Sequence, residues 1–307
     1  MTTSSITSWQ TILGIRHNAP MRRALPLLLF VLLLSLIGCA SKQVRLERRP
    51  KFYKSIISLS PSTTEIICSN GDLGTVKGRT AACDWPPNMV QPIPIVCNVK
   101  PDFEKIAAIK PDLIVYDKDL INDQDIAKLK STGADFYGID ALTIKDFVKQ
   151  LYELGSMVGF ETRFNDYIIR IETDRSSVSA LPFSSVPKVA IVMPGPTGND
   201  YICSTDGFLG DVVKNCGGQL VGPKGTQFVA MNPEQFVALD PDVILVGGSK
   251  QDTSGPGLIL GDARFKTIKA VKDQHVEALL SDVLFRRGQR VDELIKAIHS
   301  AISPKKN

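Results

Sequence analysis

Few side chains in this sequence could carry covalent or metal chemistry, while several stand where a ligand could be held. Beyond residue 39 there are two histidines, His275 and His299, the latter on an amphipathic carboxy-terminal stretch. The chain has no His-Glu-x-x-His, Cys-x-x-Cys, Gly-x-Ser-x-Gly or Walker loop. Zinc hydrolysis, a serine nucleophile elbow and a P-loop phosphate cradle therefore lack their residues. No metal site is expected, because a multi-histidine receptor needs more imidazoles than these. Carboxylate pairs could act as acid and base, but no spacing fixes such a pair. No catalytic residue is assigned, and a binding protein rather than an enzyme is the expectation.

The binding-type residues fall in loops. Ser62 and Glu65 have the spacing of a capping box, and free N–H groups near Ser62 and Thr63 could meet a polar ligand group. Capping alone would also account for Ser62. Asp84-Trp85-Pro86-Pro87 is a stiff loop carrying an aromatic, suited to an apolar wall or to packing under itself. Tyr201, Phe228 and the run Asp282-Val-Leu-Phe285-Arg286-Arg287-Gly288 hold comparable places later in the chain.

These loops need elements to position them, and the sequence holds one unit twice. Glu104-Lys-Ile-Ala-Ala-Ile-Lys-Pro111-Asp112-Leu-Ile-Val aligns with Glu234-Gln-Phe-Val-Ala-Leu-Asp-Pro241-Asp242-Val-Ile-Leu without a gap. Each copy reads as a short helix opened by an acid, ended by proline and followed by a strand. The strands Leu113–Tyr116 and Val243–Val246 are continuously apolar, as in a parallel sheet covered on both faces. Each unit is preceded by a further strand and loop, Ser55–Ser60 in one half and Val189–Met193 in the other. Between them Phe160, Phe164, Tyr167, Ile168, Ile171, Val178 and Leu181 recur at helical spacing. The spacing predicts a helix of about 30 Å, long enough to cross both halves.

The expected fold is α/β: two Rossmann-like lobes with central parallel sheets, joined by a single long backbone helix. The lobes are placed at 54–159 and 187–303, with the interlobe helix at 160–182. Ligands of open α/β sheets bind beyond the carboxyl ends of the strands, which puts the cleft between the lobes.

The amino terminus reads as an address. Arg16, Arg22 and Arg23 precede an apolar run, with no acid before residue 40, as in a secretory signal. Met21-Arg22-Arg23 would itself begin a well-formed signal. The run is shorter than the roughly 20 residues a membrane span needs. Its end, Leu36-Ile37-Gly38-Cys39, resembles the lipobox of bacterial lipoproteins. That resemblance implies a signal peptide over 1–38, acylation of Cys39 and a lipid-anchored tether over 39–53. The protein is then extracytoplasmic, held to a bacterial membrane at its periplasmic face or at the cell surface. Residues 55–307 carry 27 basic against 31 acidic side chains, so no basic face invites nucleic acid. Five cysteines follow Cys39, an odd number, and an oxidising compartment permits disulfides. Cys83–Cys97 and Cys203–Cys216 are the pairings proposed, with Cys68 a buried thiol.

Taken together, Ile56-Ile57-Ser58-Leu59-Ser60-Pro61-Ser62-Thr63-Thr64-Glu65, Cys83-Asp84-Trp85-Pro86-Pro87 and Glu104-Lys105-Ile106 through Lys110-Pro111-Asp112 resemble the helical-backbone (class III) periplasmic substrate-binding proteins of ABC importers, nearest the cobalamin-binding branch. The resemblance implies a monomer that captures a corrinoid and delivers it to a permease dimer with a cytoplasmic ATPase, with no cofactor of its own. It places Ser62, Thr63, Asp84, Trp85, Tyr201, Phe228, Asp282 and Arg286 around the ligand. It makes Glu104 and Glu234 the permease-docking acids. The family's aromatics near Ala82 and near Asn98 or Val99 are missing here. A ferric siderophore or haem, met by Arg286, Arg287 and Arg290, is the alternative cargo. A lipid-anchored hydrolase or surface module is the alternative of another class.

Overall fold

The computed structural model describes residues 52–180, 184–195, 200–249 and 254–303. Cys39, the signal, most of the tether, Leu181 and Pro182 lie outside the described residues, as do Pro196, Thr197 and Gly198 of the loop after Met193.

The first half is built on β1 (Ile56–Ser58), β2 (Val76–Thr80), β3 (Ile95–Cys97), β4 (Leu113–Asp117) and β5 (Asp135–Ile139). They form one sheet in the order β3-β2-β1-β4-β5, parallel throughout. The second half uses β6 (Lys188–Met193), β7 (Asp200–Cys203), β8 (Gln219–Leu220), β9 (Phe228–Met231), β10 (Val243–Gly248) and β11 (Val276–Leu280). Its order is β11-β10-β6-β7-β9, with β8 beside β6. Here β6, β8, β10 and β11 run parallel, but β7 is antiparallel to β6 and to β9. The second sheet is thus mixed. Six residues separate β6 from β7, and a parallel crossover needs about a dozen or more.

The apolar strands are buried on both faces, and alternate residues serve different cores. Val189, Ile191, Val243 and Leu245 face one cluster, while Ala190, Val192, Ile244 and Val246 face another. Likewise Ile56, Leu113 and Val115 face the first cluster, and Ile57 and Ile114 a third. The first cluster is common to both sheets. Between them it is filled by α4 (Ile144–Val158), α5 (Glu161–Ser179) and α8 (Val291–Ile302).

Helix α5 is the long helix expected at 160–182. It buries Phe164, Tyr167, Ile171 and Val178, and packs on α1 (Pro61–Asn70), on α4, on α6 (Phe208–Asn215) and on α8. Gly159, at φ +79°, makes the left-handed turn between α4 and α5 that a side chain would strain. A second connection was not foreseen. Residues 286–290 leave the second half and press against the first as a strap. Tyr167 Oη donates to the Gly288 carbonyl at 2.6 Å and accepts from the Val291 N–H at 3.1 Å. Gln289 and Asn70 exchange side-chain amide bonds. A Cβ on Gly288 would lie 2.5 Å from Glu65 Oε2, so a side chain here would push that carboxylate from its place.

The repeated unit appears as α2 (Phe103–Ile109), which β4 and α3 (Asp123–Leu129) follow, and as α7 (Pro233–Leu239). Asp102 caps the first and Asn232 the second. Each ends on a left-handed residue, Lys110 or Asp240. The aspartate after the proline then clamps the start of the central strand. Asp112 accepts from the N–H groups of Lys54 and Ser55, both at 2.9 Å, and donates its own N–H to the Ser55 carbonyl. Asp242 accepts from Lys188 N–H at 2.8 Å and donates to the Lys188 carbonyl at 2.8 Å.

Two local expectations are corrected. Ser60, not Ser62, caps α1: its hydroxyl accepts from Thr63 N–H at 3.1 Å, Pro61 takes the first helical position, and Glu65 is left for another task. The pairings Cys83–Cys97 and Cys203–Cys216 are not formed. All five described cysteines are free and buried. The Cys83 thiol lies between the hydroxyls of Thr64 and Thr80 at 3.0 and 3.1 Å, and that of Cys216 faces the Ile295 carbonyl at 3.3 Å. Burial pushes the Cys68, Cys203 and Cys216 thiols up to about 12, so they stay protonated and inert.

Candidate ligand-binding cleft

Strands β1, β4 and β6 end on one side of the molecule, and beyond them lies a cleft of about 380 Å³. The first half contributes Ser62, Asp117, Asp119 and Leu120; the second contributes Phe208, Gln227, Phe228, Phe285, Arg286 and Arg287. The volume suits a small-molecule site, which typically spans about 300–1,000 Å³.

The polar floor is an ion-pair network across the halves. Arg286 reaches Glu65 at 3.0 Å, Asp84 at 2.6 Å and Asp282 at 2.9 Å. Arg290 reaches the same Glu65 at 2.8 Å and stacks its guanidinium over the Trp85 ring at 5.0 Å. Glu65 is 1% exposed. Arg287 reaches Asp117 and Asp119, both at 2.6 Å, and the Ala141 carbonyl at 2.8 Å. Gln227 donates to Asp119 at 3.2 Å. Burial opposes the charge on Arg286, but Asp84, Glu65 and Asp282 outweigh it and raise its pKa further. Partial burial of Asp84 is likewise outweighed by Arg286 and Arg290, which hold its carboxyl below the usual value. For Asp117 burial prevails over Arg287 and raises the pKa.

The walls are apolar. Phe228 and Phe285 meet edge to face at 5.3 Å. Of the residues expected around a ligand, Ser62, Phe228 and Arg286 line the cleft. Asp84, Trp85 and Asp282 stand behind it and hold the arginines. Thr63 is spent internally, its hydroxyl 2.7 Å from both Ser58 and Ser60. Tyr201 is 41% exposed and pairs in register with Met193, a lining residue. Phe285 and Arg287, from the run singled out in the sequence, also line the cleft, while Asp117, Asp119, Gln227 and Phe208 were missed as site residues. Asp117 had a signal, since a charge closing a buried apolar strand sits at its carboxyl end. Gln227 had none.

Glu104 and Glu234 are exposed at equivalent places in the first turns of α2 and α7. Each helix follows a strand parallel to its sheet's centre, so both acids lie on the side where the cleft opens. Among the described residues no group of His, Cys, Asp or Glu is arranged to hold a metal ion, and no helix is long and apolar enough to cross a membrane.

With this geometry in place, comparison with known proteins defines the class. The periplasmic binding protein family matches residues 56–283, and the chain belongs to that family. The chain is 24% identical over 273 residues to an uncharacterized ABC transporter substrate-binding lipoprotein, YvrC of Bacillus subtilis, covering 86% of this chain and 84% of that one. Its fold resembles the periplasmic vitamin B12 binding protein BtuF of Vibrio cholerae, with TM-score 0.70, 22% identity, and 82% and 97% of the two chains covered. It also resembles the periplasmic heme-binding protein RhuT from Roseiflexus sp. RS-1, with TM-score 0.68, 19% identity, and 81% and 97% covered.

Proposed function

We propose that this protein is the substrate-binding lipoprotein of an ABC importer and that its cargo is a corrinoid. Anchored through Cys39 outside the cytoplasm, it carries the ligand in the cleft and presents Glu104 and Glu234 to a permease dimer driven by a cytoplasmic ATPase. The family match supports a carrier, and does not favour a hydrolase or surface module.

One observation carries the choice of cargo. The three arginines at the cleft, Arg286, Arg287 and Arg290, are already met by Glu65, Asp84, Asp282, Asp117 and Asp119. Five acids against three guanidiniums leave no surplus cation for the carboxylates of haem or for a ferric catecholate. A corrin ring is rimmed with neutral amides that both donate and accept. Asp119, Gln227 and Ser62 can exchange hydrogen bonds with such amides while Phe208, Phe228 and Phe285 cover the ring's apolar faces.

Calorimetric titration of the full chain in detergent tests this with cyanocobalamin, cobinamide, hemin and a ferric catecholate. Corrinoids are expected to bind at micromolar concentration or tighter, and the anionic complexes at least about tenfold more weakly, a gap of about 1.4 kcal/mol. Binding of hemin or the catecholate without either corrinoid overturns the assignment.

A further inference from the structure

Beside the cleft lies a second chamber of about 390 Å³. Pro61 and Leu120 border both spaces, so the two adjoin across that pair. The chamber belongs to the first half alone and opens over the carboxyl ends of β1, β2 and β3. Thr80, Ala82, Asn98 and Lys100 stand among its walls.

The two spaces differ in charge. In the cleft every arginine is consumed by carboxylates. In the chamber the one acid, Asp125, is met by the Asn122 side chain at 2.9 Å and by Lys128 at 3.9 Å. Lys100 is exposed there and enters no ion pair among the described residues. Asn98 lines the same chamber. A ligand filling both spaces meets no spare cation in the first and one in the second. Its body then carries no anionic group, and one arm does.

We propose that the chamber binds an anionic arm of the ligand, with Lys100 as its counter-charge and Ala82 leaving the space open. Resting on the corrinoid reading, this makes the arm the phosphodiester of the nucleotide tail, and the preferred cargo a complete cobalamin rather than tail-less cobinamide.

The test titrates cyanocobalamin and cobinamide into the full chain in detergent, as wild type, Lys100→Gln and Ala82→Trp, with melting curves confirming that each variant is folded. Wild type is expected to prefer cyanocobalamin by about tenfold, the scale of one charge-assisted hydrogen bond. Lys100→Gln should remove that preference by weakening cyanocobalamin alone. Ala82→Trp should do the same by filling the chamber. Equal affinity of wild type for both corrinoids, or equal loss of both in Lys100→Gln, overturns the inference while leaving the proposed function standing. Silence from both corrinoids overturns the two together.

Discussion

The two halves share one recurring unit and differ in almost everything around it. Helix, Pro-Asp and buried strand recur with the same left-handed ending and the same aspartate clamp. The sheets that receive them differ: the first is parallel throughout, while the second takes in an antiparallel strand, β7. The cleft divides its labour along the same line. The first half supplies mainly acids and a backbone turn, whereas the second supplies aromatics and all three arginines. What recurs is the geometry presenting Glu104 and Glu234; what diverges is the lining of the space between them. Under the proposed function, an outer surface docking on a two-fold permease is constrained to match, and a wall gripping an asymmetric ligand is not.

The largest effect is expected at the matched surface. Glu104→Ala with Glu234→Ala should abolish uptake in cells while the soluble affinity is unchanged, and the single variants should weaken uptake comparably. Strong asymmetry between the singles would break the equivalence. Next comes Glu65, where two arginines of the second half converge on one buried acid of the first. Glu65→Ala leaves Arg290 without its carboxylate while Arg286 keeps Asp84 and Asp282, and should cost about 3 kcal/mol in a denaturant titration. A loss under about 1 kcal/mol would show that the strap does not lock the halves.

A smaller difference should separate the clamps. Asp112 holds two backbone N–H groups and Asp242 one, together with Lys269 at 3.0 Å. Asp112→Ala should cost about 2 kcal/mol and Asp242→Ala about 1 kcal/mol. Burial of Asp242 is outweighed by the Lys188 N–H and Lys269, so its pKa is lowered in the fold. Its contribution is therefore complete above the unfolded value of about 3.9 and lost as pH falls through the lower folded value. The stability gap between wild type and Asp242→Asn should narrow from pH 6 to pH 3. Smallest of all is the effect of reductant. With free thiols in both halves, melting should be the same with and without dithiothreitol. Cys68, Cys203 and Cys216 should resist a maleimide until the chain is unfolded.

The sequence made the repeat, the apolar strands and the long helix legible because each is a periodic pattern tied to local geometry. The antiparallel turn of β7 was hidden, since its short connection follows a strand that reads like any parallel one. At the site, Ser62, Phe228 and Arg286 were legible through the resemblance. The strap was not, because Arg287 meets Asp117, 170 positions earlier, only after the intervening chain has folded. The thiols misled for a related reason. An oxidising compartment permits a disulfide, but Cys83 and Cys216 face hydroxyls and a carbonyl instead of Cys97 and Cys203.

The apolar layer common to both sheets has a consequence for how the chain comes apart. Phe147, Leu151 and Leu154 on α4 rest in the same interior as Leu294 and Ile298 on α8. A chain cut after Gly159 would turn those side chains toward water, at about 1.5–3 kcal/mol apiece. Neither portion is therefore a self-sufficient folding unit. Scanning calorimetry of the intact chain should record one endotherm, where two would mean that the portions melt independently.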